Sequence, residues 1–346
     1  MRLLVTGACG FVGSTLVREL RVVRPDLEIV GLDNFIREGS RSNVAPLRRL
    51  DVNVVEGDIR HAADLDALPR ADWVLDCAAE PSVLAGVTGS VSSFDVMDHN
   101  LIGTIRVLEY CKRHSAGLIL MSTSRVYSIA PLAALPVKAI DGAYRPQQFQ
   151  PEIGLTPAGI DERFPTSPPL SLYGTSKRCA ELAALEYADA FGFPVWINRC
   201  GVLAGAGQFG KPDQGLFTFW IRSWQAGRPL AYIGFDGAGS QVRDCLHPRD
   251  LVLVLMRQLD GETPQPADDG LDLRICNFSG GAENAVSLAQ LSEWCGRRMG
   301  PRDVASVAQP RPFDLPWVVL DSSRADRLWG WKPATPIESI LAEITG

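Results

Sequence analysis

The sequence predicts an α/β protein: a Rossmann-like, doubly wound parallel sheet with a smaller C-terminal substrate lobe. Three observations carry this. Short β-branched runs alternate with longer mixed segments through the first 125 residues, which is the rhythm of βαβ units. The first run ends in a glycine-rich turn that opens a helix. A length of 346 residues with 46% apolar content can fill one large domain or two unequal ones.

The elements follow in order. LLVTG, LEIVGLD, VNVVEGD, DWVLDCAA and GLILMSTS read as five buried parallel strands. Between the fourth and fifth, FDVMDHNLIGTIRVLEYCKRH places apolar residues three and four apart, which predicts an amphipathic helix covering the sheet. From 127 to 170 prolines recur and periodicity is lost, so a long ordered loop with little regular structure is expected, lying over a site. SLYGTSKRCAE then opens a helix, FPVWINRC is a further strand, and GLFTFWIRSWQAG is another helix. The remainder mixes short elements with no linker, which predicts residues 1–200 as a dinucleotide-binding domain and 201–346 mainly as a substrate lobe interleaved with it.

Composition excludes several function classes. The net charge is -6 and no basic run is present, which argues against nucleic acid and an anionic membrane as partners. The eight cysteines form no C-x-x-C pair, and His61, His99, His114 and His247 lie apart, so neither a metal site nor a disulfide framework is expected. The opening MRLLVTGACG is broken by glycine too early for a signal or spanning segment, and a cytoplasmic protein is expected.

Gly7, Gly10 and Gly13 stand between the first strand and its helix, with Phe11 and Val12 inside the turn. Glycine there lets backbone approach a diphosphate, and the helix N-terminus offers amides and a positive dipole to phosphate. Asp33 ends the second strand, where a carboxylate can bind the ribose hydroxyls of NAD and repel the extra phosphate of NADP. Asp58, after the third strand, suits either the adenine edge or a helix N-cap. Tyr173 and Lys177 are neighbours at i and i+4 on one helix face, where an ammonium can favour the ionised phenol; a solvated surface pair is the alternative.

With TGACGFVG, Asp33, GDIR, STSRVY and YGTSK in this order, the chain resembles the extended short-chain dehydrogenase/reductase family of nucleotide-sugar epimerases and dehydratases. QFGKPDQG at 208–215, QVRD at 241–244 and the basic residue before VY give a narrower likeness to the CDP-paratose (CDP-tyvelose) 2-epimerases. The resemblance implies Tyr173 as catalytic base, Lys177 on the nicotinamide ribose, and Thr123 bonded to the reacting hydroxyl, although Thr123 is also an ordinary strand-end hydroxyl. It adds Asn34, Ile59, Ala78, Ala79 and Asn100 around the cofactor. On the substrate it places Glu80, Ser124, Arg125, Gln208, Gln214, Arg243, Arg311 and Asp314. Arg243 and Arg311 would meet the diphosphate and ribose, or form surface ion pairs.

Tyrosine ionises near pH 10, so acting as a base at neutral pH costs about 4 kcal/mol. An ammonium about 5 Å away supplies on the order of 3 kcal/mol at an effective dielectric of about 20. Ser124 and Arg125 stand where dehydratases of the family carry an acid pair, which argues against dehydration. Val202, Ala204, Glu80 and Ser128 depart from the family pattern on the sugar or diphosphate side. The implied activity is a redox-neutral epimerisation at C2 of a CDP-deoxyhexose through a keto intermediate, in a homodimer. The alternatives are a 4-epimerase or dehydrogenase on another nucleotide sugar, or a non-catalytic dinucleotide-binding protein.

Overall fold

Five segments run apolar on both faces, and each becomes a strand: β1 (Arg2–Thr6), β2 (Glu28–Asp33), β3 (Asn53–Glu56), β4 (Trp73–Asp76) and β5 (Gly117–Thr123). With β6 (Val195–Cys200) and β7 (Ile275–Phe278) they form a seven-stranded sheet ordered β7-β6-β5-β4-β1-β2-β3. The β1–β2, β1–β4, β2–β3 and β4–β5 pairs are parallel, and the order reverses beside β1 as in a doubly wound sheet. This computed structural model describes residues 1–88 and 91–346.

Helix α1 (Phe11–Val23) follows β1. The predicted amphipathic helix begins with Ser93–Met97, capped by a reciprocal Ser92 and Asp95 box, and continues as α2 (Gly103–His114). A π-turn over Asp98–Ile102 interrupts it. Helix α3 (Leu172–Phe191) buries Ala180, Ala184 and Ala188, whose small side chains share a core with Val107, Leu108, Val195 and Ile197.

The chain divides into two units: Met1–Thr123, Leu172–Arg199 and Leu251–Ile275 form the first, and Ser124–Ser171, Cys200–Asp250 and Cys276–Gly346 the second. The segment 127–170, placed in the dinucleotide domain by the sequence reading, thus lies in the second unit. It is also more regular than expected. It contains a helix at Ile129–Ala133, an antiparallel hairpin of Val137–Ile140 with Ala143–Pro146, and a short ladder of Leu155–Thr156 with Gly159–Ile160. The hairpin turns on Asp141 (φ 49°) and Gly142 (φ 73°), the left-handed pair that two-residue hairpin loops favour. Tyr127, Leu132, Leu155, Ile160 and Phe164 of this segment bury with Val242, Trp317 and Leu320 of the same unit.

In the second unit the strand Val242–Leu246 pairs in parallel with Val202–Leu203 and Trp317–Val318, and antiparallel with Ala285–Ser287. Phe217, Trp220 and Trp224 pack with Leu291 and Trp294 beneath it. No helix among the described residues is long and apolar enough to cross a membrane, and none of the eight cysteines forms a disulfide.

Candidate active site

Two of the three turn glycines are required by the protein's own packing. Gly7 has φ 62°, and a Cβ on it would lie 2.9 Å from the Ala78 nitrogen; one on Gly13 would lie 2.3 Å from the Gly7 carbonyl oxygen. A Cβ on Gly10 would meet only the Gly7 carbonyl, at 3.2 Å, so the outer side of the turn is clear for a ligand. The Gly10 N–H donates to Gly7 O at 3.0 Å, and Ser14 N–H makes the first helical bond to Gly10 O at 2.9 Å. Phe11 is buried and Val12 part-buried at the start of α1.

Asp33 is 7% exposed. Its carboxylate accepts the Cys9 N–H of the glycine turn and the Phe35 N–H, each at 2.8 Å. Burial pushes its pKa above the ordinary aspartate value although the Phe35 and Cys9 amides pull the other way. A carboxylate has about four lone-pair sites, so Asp33 keeps acceptor capacity beyond these two bonds. Asn34 donates to Asp58 Oδ2 at 2.9 Å, and Arg60 pairs with the same carboxylate at 2.7 Å. Burial alone would raise the Asp58 pKa, but Arg60 and Asn34 hold it well below the usual range. Asp58 is not a helix cap: the next helix, Ala62–Asp66, is capped at His61 without a side-chain bond. Ile59 is a core residue.

In the loop after β4, Ala78 and Glu80 are part-buried and Ala79 is exposed. Asn100, on the π-turn, is 1% exposed; its amide accepts the Glu80 N–H at 2.8 Å and donates to Glu80 O at 3.0 Å and Ser176 Oγ at 3.1 Å. Both amide protons are therefore committed to the protein. Thr123 ends β5, part-buried, at the strand edge where doubly wound sheets open their ligand crevice.

Tyr173, Lys177 and Glu181 form one stripe of α3 at i, i+4 and i+8, and are 8%, 2% and 0% exposed. The pair is thus inward-facing and not a solvated surface pair. Glu181 is occupied elsewhere: Arg199 grips it at 2.7 and 3.0 Å, Arg178 at 3.1 Å, and Ser122 donates to it. Burial would raise the Glu181 pKa, yet Arg199 holds it below the ordinary value. Lys177 has no hydrogen bond or ion pair among the described residues. The Lys177 side chain, buried beside a tyrosine and without a protein partner among the described residues, together with the open turn at Gly10 and the spare acceptors of Asp33, fits a dinucleotide. The sequence reading missed Glu181 and Ser176, although Glu181 stands four residues after Lys177 in the same stripe.

In the second unit, Arg243 is 6% exposed and its guanidinium reaches Asp314 at 2.7 Å and the carbonyls of Val242 and Leu315 at 2.7 and 2.9 Å. Arg311 donates to Pro212 O at 3.3 Å, and Arg125 to Phe313 O at 3.3 Å. Arg125, Arg243, Arg311 and Asp314 thus converge on the segment 311–315, where Phe313 has φ 59°. Gln208 spends its amide on Leu203 O and the Thr218 hydroxyl, at 2.8 and 2.7 Å. Gln214 closes a tight turn with Lys211 through backbone bonds of 2.8 and 3.1 Å. Ser124 is buried.

A doubly wound sheet with a glycine turn, a strand-end acid and an inward tyrosine and lysine defines a dinucleotide-dependent oxidoreductase fold of the short-chain type. Residues 3–267 match the family described as NAD dependent epimerase/dehydratase, and the chain belongs to it. It is an enzyme of that family, with NAD as cofactor. It is similar to UDP-glucuronate 4-epimerase 2 of Arabidopsis thaliana, 27% identical over 98% of this chain and 73% of that protein. It is also similar to CDP-paratose 2-epimerase of Salmonella typhi, 28% identical over 84% of this chain and 82% of that protein. Among solved structures it shares its fold with UDP-glucuronic acid 4-epimerase of Bacillus cereus, with a TM-score of 0.77 and 24% identity, covering 99% of this chain and 98% of that one.

Proposed function

We propose that the protein is a redox-neutral NAD-dependent epimerase of a nucleotide-activated sugar, inverting C2 of a CDP-deoxyhexose through a keto intermediate. The observation that carries the chemistry is the buried stripe of Tyr173 and Lys177, whose ammonium has no protein partner among the described residues. Gly7, Gly10 and Gly13 would hold the diphosphate, Asp33 the adenosine ribose, and Lys177 the nicotinamide ribose. Bound NAD supplies a reversible hydride acceptor at its nicotinamide.

The protein's own residues do the rest. Tyr173 takes the proton from the sugar hydroxyl and returns it, Thr123 orients that hydroxyl, and the Lys177 charge favours the phenolate. Arg243 and Arg311 bind the nucleotide diphosphate, with Asp314 setting the Arg243 fork. Glu80, Ser124, Arg125, Gln208 and Gln214 are assigned to the substrate by the same family resemblance. The choice of C2 and CDP rests on the stretches 208–215 and 241–244 and on the Salmonella relative. The Arabidopsis relative supports a second reading, inversion at C4 of a UDP-sugar. A homodimer is expected, to be measured by light scattering.

Incubation with CDP-, UDP-, GDP- and dTDP-sugars, followed by NMR of the products, tests both readings. Inversion at C2 of a CDP-sugar is the expected result. Inversion at C4 selects the second reading, and turnover of none of the four classes would refute both.

A further inference from the structure

Asp76 ends β4 with no exposed surface. Among the described residues no cation pairs with it; its carboxylate accepts from two hydroxyls, those of Thr6 on Oδ1 and Thr104 on Oδ2, the latter at 3.3 Å. Each hydroxyl is linked onward. Thr6 Oγ1 accepts the Ala78 N–H at 3.2 Å, fixing the loop that lies against Gly7. Thr104 shares its single proton between Asp76 and the Asn100 carbonyl, which is 2.9 Å away. Asn100 clamps both backbone groups of Glu80 and gives its other amide proton to Ser176. Ser176 passes its own proton to the Tyr173 carbonyl at 2.8 Å. Thr6, Asp76, Thr104, Asn100 and Ser176 are all 0–1% exposed, so the whole relay is dry.

We propose that Asp76 is a positioning residue: through Thr6 on one side, and Thr104, Asn100 and Ser176 on the other, it holds the loop 78–80 and the turn of Tyr173 and Lys177 in the register that NAD binding requires. The proposal rests on the reading that the glycine turn and Lys177 hold the cofactor. A buried carboxylate without a cation is a poor choice for stability alone, because apolar side chains of similar volume fill such sites at less cost. Its use is directional. The carboxylate accepts from both hydroxyls, which turns their protons toward it and leaves the Thr6 lone pair facing Ala78. With both amide protons spent, Asn100 acts on the cofactor by holding Glu80 and the helix.

The test compares NAD+ dissociation constants by calorimetry, with melting temperatures measured in parallel. Asp76→Asn still accepts from Thr6 and can donate to Thr104, so its affinity is expected within about twofold of wild type. Asp76→Leu keeps the branching and the number of side-chain heavy atoms but removes both acceptors, and affinity is expected to fall at least about tenfold, as loss of a buried polar partner implies. Ser176→Ala, which cuts the relay far from Asp76, is expected to weaken NAD+ by about threefold to tenfold. Wild-type affinity in Asp76→Leu overturns the proposal, as do equal losses in Asp76→Asn and Asp76→Leu. If Asp76→Leu does not fold, Thr104→Val replaces it, and unchanged affinity in that variant overturns the proposal as well. Failure of the wild-type protein itself to bind NAD+ would instead sink the cofactor assignment.

Discussion

Lys177→Met separates the stability of the protein from its cofactor binding, and the two are expected to move in opposite directions. Lys177 is 2% exposed and has no partner among the described residues. Burying a polar group without a compensating bond costs about 1–3 kcal/mol on protein mutational scales. Methionine keeps an unbranched stem of similar length, so packing is retained while that cost disappears. The cofactor-free variant is therefore expected to be more stable than wild type by about 1 kcal/mol or more, the usual trade between stability and a functional site. Its NAD+ affinity is expected to fall about 10- to 100-fold, since a hydrogen bond to a charged group is worth about 1.5–3 kcal/mol. Urea denaturation with and without NAD+ measures both quantities, because ligand binding adds stability in proportion to the logarithm of occupancy. A methionine variant less stable than wild type without cofactor would mean that Lys177 is a satisfied structural cation, and the reasoning would fail.

The other predictions concern single groups. Tyr173→Phe keeps the ring but removes the proton acceptor: turnover on the true substrate should fall at least about a hundredfold with NAD binding intact, and near-normal turnover would refute the mechanism. Asp33→Ala should weaken NAD+ by about 1–3 kcal/mol and reduce discrimination against NADP+, and it should also lower the melting temperature, because the Cys9 and Phe35 amides lose their acceptor. Part-buried Glu162 accepts the Asn277 N–H at 2.7 Å, and burial raises its pKa from 4.5 to about 7. A raised carboxylate pKa gives a stability contribution that is full below about pH 4.5 and lost as pH rises through 7, so Glu162→Gln should be more stable than wild type at pH 8 but not at pH 4; equal pH profiles for the two proteins would contradict this.

The parts of the site that were legible in the sequence are those set by local geometry. Gly7 and Gly13 announce themselves because backbone crowding admits no other residue there, and Tyr173 and Lys177 because a helix makes i and i+4 neighbours. The hairpin at Asp141 and Gly142 was equally local, and the Asp-Gly signal stood in the chain; recurring prolines on its C-terminal side obscured it. What the sequence did not disclose depends on pairing at long range. Asp76 meets Thr6 across 70 positions, and Glu181 meets Ser122 across 59, so no window of sequence contains either contact. The second unit's arginines fall between these cases: their type suggested phosphate, while their convergence on 311–315 follows only from the fold.

The chain passes from one unit to the other five times. A ribosome emitting this polypeptide releases Met1–Thr123 long before Leu251–Ile275, the segment that completes the same unit. Within that unit Gln258 on the late segment exchanges two 3.0 Å amide bonds with Asn198, so an early product ending near residue 200 would expose Asn198 and the apolar neighbours of that segment. At roughly 5–20 residues per second the interval lasts several seconds, long enough for a nascent chain to need shielding from its neighbours. Neither unit can therefore be cut out as one contiguous fragment, and a gene fragment designed at residue 200 would yield an aggregating product in place of a minimal cofactor-binding domain.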